Sequence, residues 1–313
     1  MDENFGRSAR VPKELLHELM ARRDGPGLVH VASSVAVFVA AEAATLALTT
    51  AGSPLWIPTA VLAGAALTTF FPALHEAGHG TAFRSRWLNS AVTTVSAFLM
   101  LQAPAFFREF HWQHHRATQD RAADPEIAAA PDLLDGWARD PVTYLGLASG
   151  QPLLFGKAMF TVSCALLPSA AIARLFPFIR ADRRATVARQ SRLVVALWAA
   201  LVAAGLAWVD GFAYLLVAWP IAHVFLGFYL MAEHTGLANE GTQLERTRSI
   251  ESNAVVRWLM WNMPLHAAHH AYPAVPFHSV PALHRHLRPE LEHIARGYAA
   301  FHAEALARAL RLR

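Results

Sequence analysis

One stretch indicates the architecture of this chain: LWIPTAVLAGAALTTFFPALHEAGH at residues 55–79. Its first part, Leu55 to Leu74, is an apolar run of the length that a helix needs to cross a bilayer. His75 and His79 follow at once, and residues four apart on a helix share one face. The stretch therefore predicts a membrane helix that presents two imidazoles side by side at one end.

The composition of the whole chain also favours a membrane protein. Of its 313 residues, 54% are hydrophobic and 16% are charged, whereas soluble domains carry about 25% charged residues. We attribute the net charge of +4 to arginine-rich loops, so it does not indicate nucleic-acid binding. Cys164 is the only cysteine, which excludes a disulfide framework and a cysteine-based zinc or iron–sulfur site within one chain.

Three further apolar runs are long enough to span a membrane. They are Leu28 to Thr50, Leu193 to Val209 and Phe212 to Ala232. Short turns without Lys or Arg join the four spans into two hairpins. Polar residues, glycines or prolines interrupt two other stretches, Leu88 to Phe107 and Val142 to Phe178, and we expect these to form re-entrant or interfacial helices.

The placement of basic residues predicts the orientation. Arginines concentrate in the N-terminal segment, in the loop after the second span, before the third span and in the C-terminal tail. The positive-inside rule then places both termini and all large loops in the cytoplasm. We expect one all-α integral-membrane domain over residues 1–313, in the bacterial inner (plasma) membrane. Its core is expected at about 28–290, with a cytosolic N-terminal segment at 1–27 and a helical cytosolic cap.

Three histidine boxes stand out: HEAGH at 75–79, HWQHH at 111–115 and HAAHH at 266–270. Each presents two or three imidazoles on one side of a helix, and the predicted topology brings all three to the cytosolic edge. Together with His234, at the end of the fourth span, they are too many for one tetrahedral zinc and suit two metal ions. No carboxylate recurs at matching spacing within the second and third boxes, which argues against a Glu-x-x-His di-iron carboxylate bundle.

The order of the boxes resembles the membrane fatty acid desaturase family, which includes related hydroxylases and carotenoid ketolases. Asp124-Pro125-Glu126 and the segment Asn262-Met263-Pro264-Leu265 are also similar to that family, and the resemblance covers roughly Leu55 to Leu287. It implies two iron ions (Fe²⁺) held by histidines above a short bundle of membrane helices. The ligands that it implies are His75, His79, His111, His114, His115, His266, His269 and His270.

The last membrane helix of the family carries a further ligand, which best matches His234. Several members have an Asn four residues before it; here Leu230 stands at that position, so a water molecule or Asn262 would complete the coordination.

Other polar residues near the boxes are candidates for supporting roles. We expect Glu76, Asp120 and Asp124 to orient ligands, with solvated or loop-capping roles as the alternatives. His223, inside the fourth span, is expected to line a substrate tunnel or to make a helix–helix hydrogen bond.

The resemblance implies dioxygen-dependent desaturation of a fatty acyl chain, with a hydroxylase or ketolase acting on an alkyl lipid or carotenoid as the alternative. The chain has no Gly-x-Gly-x-x-Gly fingerprint and no cysteine set, so we expect no intrinsic flavin, haem or iron–sulfur cluster. Electrons would come from an external donor, such as a ferredoxin or a cytochrome with its reductase. Five arginines form either an ordinary positive-inside surface or a face that docks an acidic donor: Arg108, Arg116, Arg121, Arg285 and Arg288.

A distant alternative is a membrane zinc protease. His75-Glu76-x-x-His79 matches the zincin signature, in which two histidines bind zinc and the glutamate is the general base. Leu133-Leu134-Asp135-Gly136 faintly resembles the second motif of intramembrane proteases. This alternative leaves six clustered histidines without a role.

Overall fold

The described part of the chain, residues 11–311, is mostly helical in the computed structural model. This confirms the predicted all-α membrane fold. Residues 1–10, which include Arg7 and Arg10 of the predicted cytosolic segment, and residues 312–313 lie outside the described residues.

Within the described range, four spans are long and apolar enough to cross a membrane, as predicted. They are formed by α2 (Asp24–Thr50), α3 with α4 (Trp56–Thr68 and Phe70–His79), α11 (Arg184–Trp208), and α12 with α13 (Phe212–Leu215 and Ala218–His234). The helices extend beyond the apolar runs at the end where α2 and α11 begin, because hydropathy marks the part suited to lipid and not the end of the helix. His79 and His234 end the second and fourth spans at that same end, hereafter the histidine end.

Between the second and third spans, α5 (Arg86–Leu99) and α6 (Pro104–Ala117) form a helix pair bent by 96°. The pair starts shortly after His79, and its last turns return to contact His79 again. It therefore enters and leaves at the histidine end, as expected for a re-entrant segment.

A second re-entrant hairpin consists of α8 (Pro141–Ala148) and α9 (Gln151–Leu166). Its tip, Gly150, packs backbone to backbone against the middle of α13. Gly150 has a φ of +65°, and a Cβ there would lie 1.6 Å from the carbonyl oxygen of His223. A Cβ on Gly227 would meet the same tip at 2.5–2.7 Å. Only glycine fits at this contact.

The remaining elements cover the histidine end. They are α1 (Lys13–Leu19), α7 (Pro131–Asp135), α10 (Ser169–Leu175), α14 (Ala254–Leu259), α15 (His266–Ala271), α16 (Val280–Leu287), α17 (Tyr298–Ala309), and a parallel pair of two-residue strands, β1 (Ser249–Ile250) and β2 (Ile294–Ala295). A buried cluster that includes Leu265, Ala268, Val275 and Leu283 fixes α15, which carries the third box, against α16.

Candidate metal centre

All three boxes and His234 meet at the histidine end of the bundle. Four helices carry them: α4, α6, α13 and α15. All nine side chains are buried except that of His79, which is partly exposed. They form two clusters, and within each cluster the ligand nitrogens lie within 4.8 Å of one another. The five-histidine cluster comprises His75, His79, His111, His115 and His269, and the four-histidine cluster comprises His114, His234, His266 and His270.

In the five-histidine cluster the imidazoles face one another through Nε2. The Nε2 atom of His111 is 2.7 Å from that of His79 and 3.1 Å from that of His115. The Nε2 atom of His269 is 3.3 Å from that of His115. Neither ring nitrogen of His75 has a hydrogen-bond partner among the described residues, although its ring is fully enclosed.

The four-histidine cluster has the same arrangement. The Nε2 atom of His266 is 3.1 Å from those of both His234 and His270. The ring of His114 completes the cluster, with its centroid 4.8 Å from that of His234.

Each H-x-x-H-H box divides its histidines between the two clusters. His111 and His115 belong to the five-histidine cluster, and His114 belongs to the other. The third box divides in the opposite sense. His266 and His270 belong to the four-histidine cluster, and His269 belongs to the five-histidine cluster. A residue four positions along a helix is rotated by about 40° and one three positions along by about 60° in the other direction. One helix thus offers a pair of imidazoles to one metal position and a single imidazole to the other.

These distances fit bound metal ions. Two neutral imidazoles that both keep their Nδ1 proton have acceptors at Nε2, so a close Nε2–Nε2 contact is repulsive unless a cation lies between them. Histidine nitrogens bind metals at about 2.1 Å, which places neighbouring ligand nitrogens about 3 to 3.4 Å apart. The observed separations of 2.7–3.3 Å are close to this range.

The surrounding protein holds the outer nitrogens of the four-histidine cluster. Nδ1 of His114 donates to the buried carboxylate of Asp124, 3.1 Å from both oxygens. Nδ1 of His234 donates to the carbonyl oxygen of Arg246 at 2.9 Å. A proton fixed on Nδ1 leaves the lone pair of Nε2 free for a metal.

Gln243 connects the two clusters. Its Oε1 accepts a hydrogen bond from Nδ1 of His270 at 3.3 Å, and its Nε2 donates to the carbonyl oxygen of His115 at 2.9 Å. The side chain is buried, and its contacts fix the position of α6 relative to α15.

Glu76 lies behind the five-histidine cluster. One carboxylate oxygen is 3.6 Å from Nδ1 of His75 and 3.7 Å from Nδ1 of His269. The other oxygen accepts hydrogen bonds from Thr81 Oγ1 at 3.0 Å and from the backbone N–H of Phe277 at 3.2 Å. The carboxylate thus lies on the Nδ1 side of the rings, away from the converging Nε2 atoms.

Two further carboxylates flank the four-histidine cluster. Glu233 lies 3.5 Å from Nδ1 of His266, and Glu126 lies 3.6 Å from Nδ1 of His114. With Asp124 they give this cluster three acidic neighbours.

Burial sets the protonation of the third box. It lowers the pKa of His266, His269 and His270 well below the usual value, and the neighbouring imidazoles lower each pKa further. Burial also acts to lower the pKa of His114, but the carboxylates of Asp124 and Glu126 outweigh it and raise that pKa to about 9, so a metal bound there would displace the proton on Nε2. The third box is therefore neutral at physiological pH, which is the form that binds metal.

A cavity of about 370 Å³ reaches both clusters. Its histidine wall is formed by His75, His111, His114, His234 and His266. Most of the remaining wall is apolar and includes Phe71, Phe107, Leu153, Leu230 and Met263. Six polar side chains besides the histidines also line it: Gln102, Gln119, Glu126, Lys157, Glu233 and Thr235.

Two of the expected supporting residues lie elsewhere. The carboxylate of Asp120 is exposed and accepts hydrogen bonds from the backbone N–H groups of Ala122 and Ala123, which is the loop-capping alternative. The amide of Asn262 donates to the carbonyl oxygen of Phe277 at 3.2 Å and does not line the cavity. The structure thus pairs Asp124, and not Asp120, with a clustered histidine.

His223 lies behind the cavity wall. It is fully buried, its Nδ1 donates to the carbonyl oxygen of Trp219 at 2.8 Å, and its Nε2 faces the ammonium group of Lys157 at 3.5 Å. Lys157, on α9, lines the cavity.

The positions of Glu76 and Asp135 do not match those required in a zinc protease. Glu76 is on the Nδ1 side of the histidines, so it is not placed to activate a water molecule on the Nε2 side. Asp135 is exposed and forms an ion pair with Arg121 on the surface.

Sequence reasoning missed three buried contributors: Lys157, Gln243 and Glu233. Lys157 is one of only two lysines in an arginine-rich chain, and this imbalance was a usable signal. Glu233 directly precedes His234, but adjacency alone does not show that its side chain approaches the third box. Gln243 carries no signal in the sequence.

Comparison with known protein families identifies a match. A family model described as Fatty acid desaturase matches residues 51–302, a range that contains all nine clustered histidines. No curated protein matches the chain at a significant level.

Proposed function

Because the chain belongs to the fatty acid desaturase family, we propose that it is a di-iron oxidoreductase that uses dioxygen to desaturate a fatty acyl chain. The family in general carries out oxygen-dependent oxidation of the desaturase or hydroxylase type. The observation that supports the finer proposal is the placement of nine imidazoles, five and four, against one apolar cavity. Neutral nitrogen ligands suit iron, and two clusters suit a metal pair.

The bound iron pair would supply the strong oxidant that an unactivated methylene requires. Hydrogen bonds to the outer nitrogens, such as that from His114 to Asp124, keep the rings aimed inward. The aromatic and aliphatic wall of the cavity holds an alkyl chain and excludes water beside the histidines. The position of the chain against this wall then selects the carbon that is oxidised.

We place the entry of electrons at His79, the one partly exposed ligand candidate. The exposed indole of Trp112 lies against it, with ring centroids 4.9 Å apart. Of the arginines expected to dock a donor, Arg121 and Arg288 already pair with carboxylates of the chain itself. Arg116, one turn after Trp112, is exposed and bonds only to the neutral Gln113 among the described residues. An acidic donor protein would therefore find its complementary charge beside Trp112.

The function is tested with purified protein loaded with iron under reducing conditions. We expect close to two iron ions per chain, and new double bonds in the alkyl chains of a supplied mixture of fatty acids and acyl lipids when a reductase–ferredoxin system and dioxygen are present. Mass spectrometry of the lipids distinguishes a lost pair of hydrogens from an added hydroxyl or keto oxygen. One zinc per chain, or lipids unchanged from those made with the His115→Ala variant, would refute the proposal.

The proposed orientation puts the histidine end in the cytoplasm of the bacterial inner membrane. Cys164 is buried and is the only cysteine, so single-cysteine variants can be built on a Cys164→Ala background. A membrane-impermeant maleimide applied to intact inner-membrane spheroplasts should label Ser53→Cys, in the first hairpin turn. It should label Arg285→Cys only after lysis, and the reverse pattern would invert the topology.

A further inference from the structure

Lys157 is a buried amine with no carboxylate at ion-pairing distance among the described residues. It lies on α9, its side chain is part of the cavity wall, and the residue is only 8% exposed. Across residues 11–311 no carboxylate oxygen lies within 4.0 Å of its ammonium nitrogen. Glu126 lines the same cavity, but the nearest basic group to its carboxylate is Nδ1 of His114. A buried charge without a partner is costly, so such a residue is expected to have a role.

Among residues 11–311, His223 provides the one hydrogen-bond contact of the Lys157 ammonium group. Nδ1 of His223 gives its proton to the carbonyl oxygen of Trp219, so Nε2 of His223 is an acceptor for Lys157 at 3.5 Å. An ammonium group has three N–H donors, and this contact uses one. On its other side Lys157 faces the ring of Phe71, 5.5 Å from the ring centroid. The remaining donors have no acceptor among the described residues and are open to a ligand in the cavity.

Gln102 adds a second donor to the same wall. It is 6% exposed and lines the cavity, and its amide nitrogen is buried without a hydrogen-bond partner among the described residues. Thr161, one turn after Lys157, donates to the carbonyl oxygen of Leu101, the residue next to Gln102, at 2.8 Å. This bond fixes the segment of Gln102 beside the face of α9 that carries Lys157.

Taking the proposed function as its premise, we propose that Lys157 and Gln102 form a carboxylate-binding site, and that the substrate is a free long-chain carboxylic acid. An ammonium group and an amide N–H together match the two oxygens of an ionised carboxylate, whereas an ester or thioester offers a neutral carbonyl. The ring of Phe71 neighbours both this site and the first box, since its centroid is 5.5 Å from the ammonium nitrogen and 6.4 Å from the centroid of His75. A carboxylate held at Lys157 therefore sets the register of the alkyl chain against the histidines, counted from the carboxyl carbon.

Binding of a carboxylate can be measured without turnover. The probes are radiolabelled hexadecanoate and its methyl ester, bound to the full-length protein in nanodiscs. We expect the wild type to prefer the acid, and Lys157→Met to bind it about 10- to 100-fold more weakly, the usual loss for a hydrogen-bonded ion pair. Affinity for the methyl ester should stay within about twofold. Lys157→Arg should recover part of the affinity, and Gln102→Leu should lose a smaller part.

The matched control is Lys13→Met, which removes the other lysine of the chain, an exposed residue of α1. Equal binding of acid and ester by the wild type, or unchanged binding of the acid by Lys157→Met, would overturn the carboxylate site. If Lys157→Met fails to fold, Lys157→Arg and Gln102→Leu decide the question by the same comparison.

A second measurement separates this inference from the proposed function. With an active preparation, the test substrates are saturated acids whose chains differ in steps of two carbons (about 14, 16 and 18 carbons). All of them should be oxidised at the same carbon counted from the carboxyl end. Acid-selective binding without any turnover would refute the desaturase proposal and leave the carboxylate site standing. Turnover of the methyl ester at the same rate and position would refute the carboxylate site and leave the desaturase proposal standing.

Discussion

The five-histidine and four-histidine clusters differ in ligand number, exposure and surroundings. The five-histidine cluster includes the partly exposed His79 and has one carboxylate behind it, that of Glu76. The four-histidine cluster is fully buried and has Asp124, Glu126 and Glu233 around it. Three of its four members line the cavity, against two of the five in the other cluster.

This difference indicates that the two metal positions have different roles. The five-histidine cluster offers more neutral ligands and a path to the surface through Trp112, which suits the exchange of electrons. The four-histidine cluster offers one ligand fewer, more carboxyl groups around it and a larger share of the cavity wall, which suits contact with the substrate. The predictions below test this asymmetry.

The largest effect is expected from loss of a ligand in the smaller cluster. His270→Ala leaves three imidazoles there, so we expect desaturation to fall to background and bound iron to fall from about two ions per chain to about one. His79→Ala leaves four imidazoles in the larger cluster and should retain more iron and more activity. Elemental analysis and lipid profiling measure both, with the exposed His286→Ala as the control. Equal losses in the two ligand variants would contradict the asymmetry.

Removal of metal should also distinguish the clusters. A chelator reaches the five-histidine cluster more readily because His79 is partly exposed, so iron should leave in a fast and a slow phase. Each ion at 100 times its Kd stabilises the fold by about 2.7 kcal/mol, so complete removal should lower the Tm clearly. Absorbance stopped-flow and thermal unfolding in detergent are the measurements. A single release phase in the wild type would show that the two positions are equally accessible.

A smaller effect is expected from the carboxylate that orients His114. In Asp124→Asn the amide oxygen accepts the Nδ1 proton of His114 less strongly than the carboxylate does. Loss of such a partner costs about 10- to 100-fold in metal affinity or activity. Glu76→Gln should cost less, since its oxygens lie 3.6–3.7 Å from the Nδ1 atoms, beyond hydrogen-bonding distance. Iron titration of the apoprotein compares the variants, and Asp120→Asn, in the exposed loop cap, should match the wild type. A loss with Asp120→Asn as large as that with Asp124→Asn would remove the basis of this assignment.

The smallest effect is expected from replacement of Gln243, which connects the two clusters. Gln243→Leu removes the hydrogen bonds to His270 and to the backbone of His115, each of them worth about 1 kcal/mol. We expect a loss of activity of a few-fold and a modest fall in Tm, with both iron ions retained. Loss of one ion in this variant would mean that Gln243 supports a ligand far more strongly than its distances indicate.

The membrane spans and the three boxes could be predicted from the sequence because both signals are local. An apolar run of sufficient length marks a span wherever its neighbours lie, and a spacing of three or four residues places imidazoles on one side of a helix. The spacing could even predict that each H-x-x-H-H box divides into a pair and a single histidine. It could not predict that the pair of the second box and the single histidine of the third box share a cluster, because that depends on how α6 and α15 face each other.

Only the tertiary structure determines the contacts between residues far apart in the chain. Asp120 and Asp124 are equivalent candidates by spacing, yet packing buries one carboxylate against His114 and leaves the other in solvent. Lys157 becomes a cavity residue only because the tip of the second re-entrant hairpin, at Gly150, fits against α13. Hydropathy and helical periodicity act along one segment, whereas ligand grouping, outer-nitrogen partners and cavity walls depend on the relative orientation of several segments.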